Sequence, residues 1–332
     1  MKNRTSITRR TFLAGGSAAS PCLMQRGANA QTALPDKGLE ILVGFAPGGG
    51  ADVIARLIAP QLERRLGRRV SVENRPGGTG SLPGKLLTIG PRDGSVVALI
   101  ASTTLSSRFV VKDFPFDPID DIEPITIAGT AQSTLAVSLQ TGVRTFAEYL
   151  EWLKQGGGHR RKIGETSCAA FVEVLAKVVN QQTGATMTVV PYRGALAMVN
   201  DLQDGRLAAC VTAITSLLEH RRGGRIRLIL SSGQSRSAVA PDLPVAAELG
   251  FPALAADEWY GFFASSAVPA PLVAEWHRHI VGVLNDPQVK AELTQLGLEV
   301  TAVAPDEARK RVASYLLDWK QRLEQAGITP TN

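Results

Sequence analysis

The chain has 332 residues, 44% of them hydrophobic, and a formal net charge of +6. Five of these charges (Lys2, Arg4, Arg9, Arg10 and Arg26) fall before residue 31 with no acidic residue to offset them, so the rest of the chain carries only +1. With no sustained Lys/Arg stripe left, charge gives no case for a nucleic-acid partner, and no later apolar run is long enough to span a membrane.

The first thirty residues read as an export signal, to be set aside before the fold is considered. Basic residues lead into a mildly apolar run of small residues from Phe12 to Met24. Ala28-Asn29-Ala30 is a small-x-small cleavage pattern that places Gln31 at the mature N-terminus. Thr8-Arg9-Arg10-Thr11-Phe12-Leu13 fits a twin-arginine address, with an ordinary secretory signal as the alternative. The mature chain of roughly 300 residues exceeds one compact core, so two lobes are expected. Cys168 and Cys210 could pair in an oxidising compartment or stay as buried thiols, and both readings stand.

In chain order, Leu39 to Phe45 predicts a strand, and apolar residues at 53, 54, 57, 58, 62 and 66 predict a helix from Asp52 to Leu66 that Gly67 ends and Pro60 kinks. Val70 to Val72 is a second strand, 81–89 a helix, and Val96 to Ala101 a third strand. That alternation is the pattern of a parallel sheet covered by helices. The grammar restarts with strands at Ile125 to Ile127 and Leu135 to Val137, then a helix capped by Thr145 and running to Lys154. Next come a strand at Lys162 to Gly164, a helix from Ala169 to Gln182, a strand at Met187 to Pro191 and a helix from Ala195 to Gln203. Strands follow at Leu207 to Thr212, Ile226 to Leu230 and Gly261 to Ala264, and helices at 270–284 and 305–325 close the chain. This order predicts an α/β protein of two Rossmann-like lobes. Residues 36–130 and 233–328 form the first, residues 131–232 the second, and the crossovers make a hinge.

Ligands of open α/β sheets bind beyond the carboxyl ends of strands, which directs attention to loops at 45–52, 74–80, 101–104, 164–169, 191–195 and 211–216. In Phe45-Ala46-Pro47-Gly48-Gly49-Gly50-Ala51-Asp52, three glycines between a strand and a helix expose amide N–H groups at a helix start, where a carboxylate can bind without arginine. A plain tight turn gives the same string, and Asp52 could simply cap the helix. Asn74 to Gly80, with Gly78 and Thr79, repeats the arrangement. It is not an ATP-binding loop, because Thr79 and Leu86 stand where that motif needs glycine and a hydroxyl, and Val53 breaks the dinucleotide fingerprint. Ser102 and Thr103, then Thr166-Ser167-Cys168, Tyr192 and Thr212, are the polar candidates on the other loops. A thiol at a helix start could be activated, yet no base or orienting group accompanies Cys168. His159 and His220 read as solvated, His277 and His279 point to different sides of a helix, and neither a metal nor a cofactor is expected.

Several strings in one order resemble the periplasmic substrate-binding proteins of tripartite tricarboxylate transporters, the Bug or TctC-like family. They are Phe45 to Asp52, Glu73-Asn74-Arg75-Pro76-Gly77, Pro91-Arg92-Asp93-Gly94, Phe116 to Asp121, Val190-Pro191-Tyr192-Arg193-Gly194, Pro241 to Val245 with Glu248-Leu249-Gly250, and Trp259-Tyr260-Gly261. The resemblance implies a two-lobed, type II-like periplasmic binding fold that closes on a small organic acid. It further implies that the loops at 45–50 and 74–80 hold one carboxylate, and that the protein is a periplasmic monomer serving membrane permease subunits. Alternatives are a ligand-sensing partner in signalling or an exported enzyme using Cys168. The second lobe departs from the family pattern, with Ala169, Ala170 and Phe171 replacing a serine/glycine loop and Ala208 and Thr212 at positions often acidic. The expectation that follows is a cleft half short of polar and acidic groups, and a ligand with a neutral distal end.

Overall fold

The computed structural model describes residues 33–329. The export signal and the cleavage after Ala30 lie outside the described residues.

The first segment runs β1 (Leu39–Val43), α1 (Gly50–Leu66), β2 (Val70–Asn74), α2 (Leu82–Ile89), β3 (Val96–Ala101), a single turn α3 (Ser102–Ser106) and β4 (Ile122–Ala131). The second comprises β5 (Ser133–Ser138), α4 (Phe146–Lys154), β6 (Lys162–Glu165), α5 (Ala169–Thr183), β7 (Thr188–Pro191), α6 (Ala195–Gln203), β8 (Ala209–Ala213), α7 (Leu218–Arg222) and β9 (Ile226–Ser231). The chain then closes with β10 (Glu258–Ser265), α8 (Ala270–Leu284), α9 (Pro287–Gln295), β11 (Glu299–Val300) and α10 (Pro305–Gln325).

Two sheets result, in strand orders β11-β4-β10-β3-β1-β2 and β7-β6-β8-β5-β9. The parallel pattern read from the sequence holds for β2-β1-β3 and for β7-β6-β8. Both sheets are mixed, however, because the strands that carry the chain across run the other way: β10 and β5 are antiparallel to each of their neighbours. We call the halves built on these sheets the first and second lobes. One residue, Gln132, separates β4 in the first sheet from β5 in the second. Ser232 fastens this outward crossing to the return. Its N–H donates to Ser133 O, its Oγ donates to Ala256 O and accepts from Ser133 N–H, and its carbonyl accepts from Ala256 N–H.

Local chemistry explains several of the element ends. Thr145 Oγ1 caps α4 by accepting from Glu148 N–H at 3.1 Å, while Glu148 Oε2 reaches back to Arg144 N–H. Gly67 closes α1 in the left-handed conformation with φ 65°. α1 passes unbroken through Pro60. Pro60 and Arg56 are both exposed, so water can satisfy the Arg56 carbonyl that loses its amide donor. α1 also begins two residues before the predicted Asp52, at Gly50, because the glycine loop itself supplies the first turn. α9 is an element the periodicity does not announce. Asp286 caps it, accepting from Gln288 and Val289 N–H, and Pro287 holds its first position.

Candidate functional site

The loops after β1 and β2 are locked together inside the first lobe. Asp52, only 2% exposed, is not the helix cap, a position Gly49 holds. Its carboxylate instead accepts from Gly48 N–H at 2.9 Å, from Asn74 Nδ2 at 2.8 Å and from Arg56 Nε at 2.9 Å, while Asn74 also donates to Phe45 O at 2.9 Å. Burial alone would raise the Asp52 carboxyl, but the hydrogen bonds from Arg56, Gly48 and Asn74 outweigh it and hold it below the ordinary range. In the second loop Gly77, Gly78, Thr79 and Gly80 all have positive φ, and Thr79 at 55° is a β-branched residue in a region that disfavours it. Thr104 Oγ1 donates to Thr79 O at 3.0 Å, and Gly80 lies under the Phe45 ring, which a Cβ there would meet at 2.3 Å. The two loops are therefore one preformed backbone surface.

The second lobe meets that surface directly. Gly50 N–H, at the start of α1, donates to Ser216 Oγ at 3.0 Å. Ala46 N–H faces Arg193 O at 3.4 Å, and a Cβ on Gly194 would stand 2.8 Å from Ala46 Cβ. Thr103 Oγ1 donates to Ser167 Oγ at 3.1 Å. Hydrogen bonds of this kind contribute roughly 1 kcal/mol net each, so the closed contact is one a ligand can displace. The helix start expected to receive an anion is thus covered by a serine hydroxyl from the opposite lobe.

Between the lobes lies a cavity of about 10 Å³, bounded by Ala101, Ser102, Thr103, Ala131, Ser133, Cys168, Ala213, Glu258, Trp259 and Tyr260. Of the residues nominated from sequence, the structure brings Ser102, Thr103 and Cys168 to this cavity, with Ser167 against Thr103. Thr166 and Thr212 pair through their hydroxyls at 3.0 Å within the second lobe. Phe45, Ala46, Pro47, Gly48, Gly49, Gly50, Gly78 and Thr79, with Asn74 at the end of β2, make up the loop surface above, here called the rim, and do not line the cavity. Tyr192 turns away: its hydroxyl donates to Asp201 at 2.7 Å on its own lobe.

Two buried carboxyls stand by this cavity, one from each lobe. Glu165 ends β6 at 3% exposure and accepts from Cys168 N–H at 3.1 Å. Glu258 opens β10 at 4% exposure, and its Oε2 accepts from Ser102 Oγ and from the Tyr315 hydroxyl, both at 2.7 Å. Burial pushes Glu165 up to about 7 against the Cys168 hydrogen bond. It pushes Glu258 up to about 7 against those from Ser102 and Tyr315. Neither carboxyl is among the residues nominated from sequence. Glu165 stands at a predicted strand end, inside a loop region already nominated, and Glu258 directly precedes Trp259-Tyr260-Gly261.

These surroundings also set the chemistry of Cys168. Burial, with added repulsion from Glu258 and Glu165, lifts its thiol to about 12, overriding any help from the helix start. Cys168 and Cys210 are both buried and unpaired, so no disulfide joins them. His220 is half-buried and hydrogen-bonds Gln203 rather than being fully solvated. Among the described residues, no cluster of three or more His, Cys, Asp or Glu side chains could hold a metal ion, and no helix is long and apolar enough to cross a membrane.

Comparison with known proteins gives a consistent result. Residues 54–328 match the family described as Tripartite tricarboxylate transporter family receptor. The chain is 27% identical to a protein encoded between tcbD and tcbE in Pseudomonas sp. strain P51, over 95% of this chain and 94% of that one. It is 25% identical to BugT of Bordetella pertussis, over 88% and 90% of the two chains. Among solved structures, MatC of Rhodopseudomonas palustris with bound malate superposes with a TM-score of 0.81 at 22% identity, covering 87% of this chain and 100% of that one. Rpa4515 of the same organism, with adipate, gives 0.81 at 23% identity over 89% and 99%. The periplasmic binding protein BugD gives 0.82 at 22% over 89% and 99%. The fold is that of the two-lobed periplasmic binding proteins.

Proposed function

The chain belongs to the tripartite tricarboxylate transporter receptor family, whose members are solute-binding proteins and not enzymes, and from that premise we propose that it captures a small organic carboxylate between its lobes. The observation that carries this reading is the surface made by the loops after β1 and β2. It presents backbone amides at the start of a 17-residue helix, is rigidified from behind by Asp52 and Asn74, and faces hydroxyls of the other lobe across a narrow gap. A carboxylate oxygen is a stronger acceptor than the Ser216 hydroxyl now bound to Gly50 N–H, and the helix dipole favours its charge. Malate and adipate in the structural neighbours support an acid of this size.

The ligand-contacting residues in this proposal are the rim from Phe45 to Gly50, Gly78 and Thr79 on the first lobe, with the Asn74 side chain holding them from behind. Ser102 and Thr103 lie at the floor, and Thr166, Ser167, Cys168 and Thr212 lie opposite. Asp52 acts through Gly48 and Asn74 and is a positioning residue. The protein works as an exported periplasmic monomer, with its signal removed after Ala30, and delivers the acid to membrane permease subunits.

The test is a thermal-shift screen of the mature protein against an organic-acid library, followed by calorimetry. Stabilisation by at least one di- or monocarboxylate, with no chemical change in the acid, is expected. Stabilisation only by sugars, cations or uncharged amides contradicts the reading.

A further inference from the structure

The Glu258 carboxyl is only half used. Its Oε2 takes both available donors, Ser102 Oγ and the Tyr315 hydroxyl, whereas Oε1 is buried with no partner at all. A buried polar atom left unpaired is costly, and such groups persist where function needs them. Glu258 also lines the cavity between the lobes, together with Ser102, Thr103, Ser133, Cys168 and Tyr260. At about 10 Å³ that space holds no more than one small polar group, so Oε1 meets a larger partner only when the lobes part and close again around it.

The position relative to the anion-binding rim is set by Tyr260. Its side chain lines the same cavity, and its hydroxyl would lie 3.0 Å from a Cβ on Gly50, the residue whose N–H starts α1. Tyr260 thus borders both the Gly50 amide and the cavity floor on which Glu258 sits. We propose that Glu258 is a specificity-determining residue of the cleft, its free Oε1 pairing with a hydroxyl on the carbon next to the anchored carboxylate. The ligand class is then the 2-hydroxy acids. This rests on the carboxylate-binding reading above.

A hydroxyl suits the position because it can donate or accept. It pairs with Oε1 whether the carboxyl is ionised or protonated, and burial leaves Glu258 able to be either near neutral pH. An ammonium group needs the ionised form and buries a charge pair whose desolvation is expensive.

The experiment is calorimetric titration of the mature protein with matched acids: malate and succinate, lactate and propionate, mandelate and phenylacetate, with aspartate as the ammonium analogue of malate. The hydroxy acid of at least one pair should bind roughly tenfold more tightly than its partner, and aspartate more weakly than malate. Glu258→Met should bring that pair within about twofold, leaving the affinity for the unhydroxylated acid in place. Glu258→Gln, which keeps a hydrogen-bonding group at the same reach, should retain most of the preference. Tyr315→Phe removes only an Oε2 partner and should retain it too, which separates recognition from a purely structural role. Equal binding of both members of every pair by the wild-type protein overturns the assignment without any variant. So does a preference that survives Glu258→Met, or tighter binding of aspartate than of malate. If none of these acids binds while the library screen finds another carboxylate that does, this inference fails and the carboxylate reading stands; if the library finds no carboxylate at all, both fail.

Discussion

The two faces of the cleft are made of different material. The first lobe offers main chain: glycine-rich loops in which four successive residues, Gly77 to Gly80, have positive φ, held from behind by one buried carboxylate, Asp52. The second lobe offers side chains, with Ser216, Ser167, the Thr166–Thr212 pair and Glu165 standing on ordinary strand ends. A backbone surface recognises a group that every ligand shares, because its geometry does not depend on which side chains are present. A side-chain surface can be rewritten one residue at a time. The contrast locates affinity for a carboxylate in the first lobe and the choice among acids at the floor and in the second.

The largest expected effect tests whether the first-lobe backbone is as specialised as this requires. Gly80→Ala places a Cβ 2.3 Å from Phe45 Cζ and 2.7 Å from Thr104 Oγ1 at φ 87°. It should cost roughly 3 kcal/mol, the sum of left-handed strain and overpacking. Gly184→Ala in the second lobe has comparable φ, 68°, but meets nothing within 4 Å, and should cost only about 1 kcal/mol. Denaturant melts of the two variants check the difference, and equal losses would erase the contrast.

Next in size is an opposite response to pH. The Asp52 carboxyl is held below its ordinary range, so its contribution to stability is present above that range and is lost as pH falls through its depressed value. Glu165 and Glu258 are raised to about 7. The native state then binds more protons than the unfolded chain, and their contribution is complete at acid pH and fades as pH rises through 7, by roughly 3 kcal/mol for each carboxyl. Thermal melts from pH 2 to 8 should therefore show Asp52→Asn flattening the limb below pH 4 and Glu165→Gln flattening the limb between pH 4 and 7. The smallest effect concerns Cys168. With its thiol at about 12 and 1% exposure, it should resist alkylation in the native protein at pH 8 and react fully on unfolding. The wild type and Cys168→Ala should both leave the bound acid chemically unchanged.

The same contrast explains what could be read before the fold was known. β3 and α6 match the sequence reading to the residue, because Val96 to Ala101 is an unbroken apolar run buried from Val97 onward and Ala195 to Gln203 is amphipathic between Gly194 and Asp204. The glycine loops were legible because a backbone in the left-handed region writes glycine into the sequence. β4 is ten residues where three were expected, since Pro124 and Gly129 interrupt its pattern and only pairing with β10 and β11 reveals its length. α9 was missed although Asp286-Pro287 marks its start, because only Val289 and Leu293 are buried in it. Glu258 was invisible as a site residue for a stronger reason. Its partners Ser102 and Tyr315 lie 156 and 57 positions away, and no local pattern encodes that meeting.

The most direct test of the whole account is a crystal structure of the mature protein with a bound acid identified in the screen. The account predicts one ligand carboxylate against the amides of the loops after β1 and β2, with Ser216 displaced from Gly50 N–H and the lobes closed over the rest. An acid bound outside the gap between the lobes, or a Gly50–Ser216 bond that persists at saturating ligand, would contradict it.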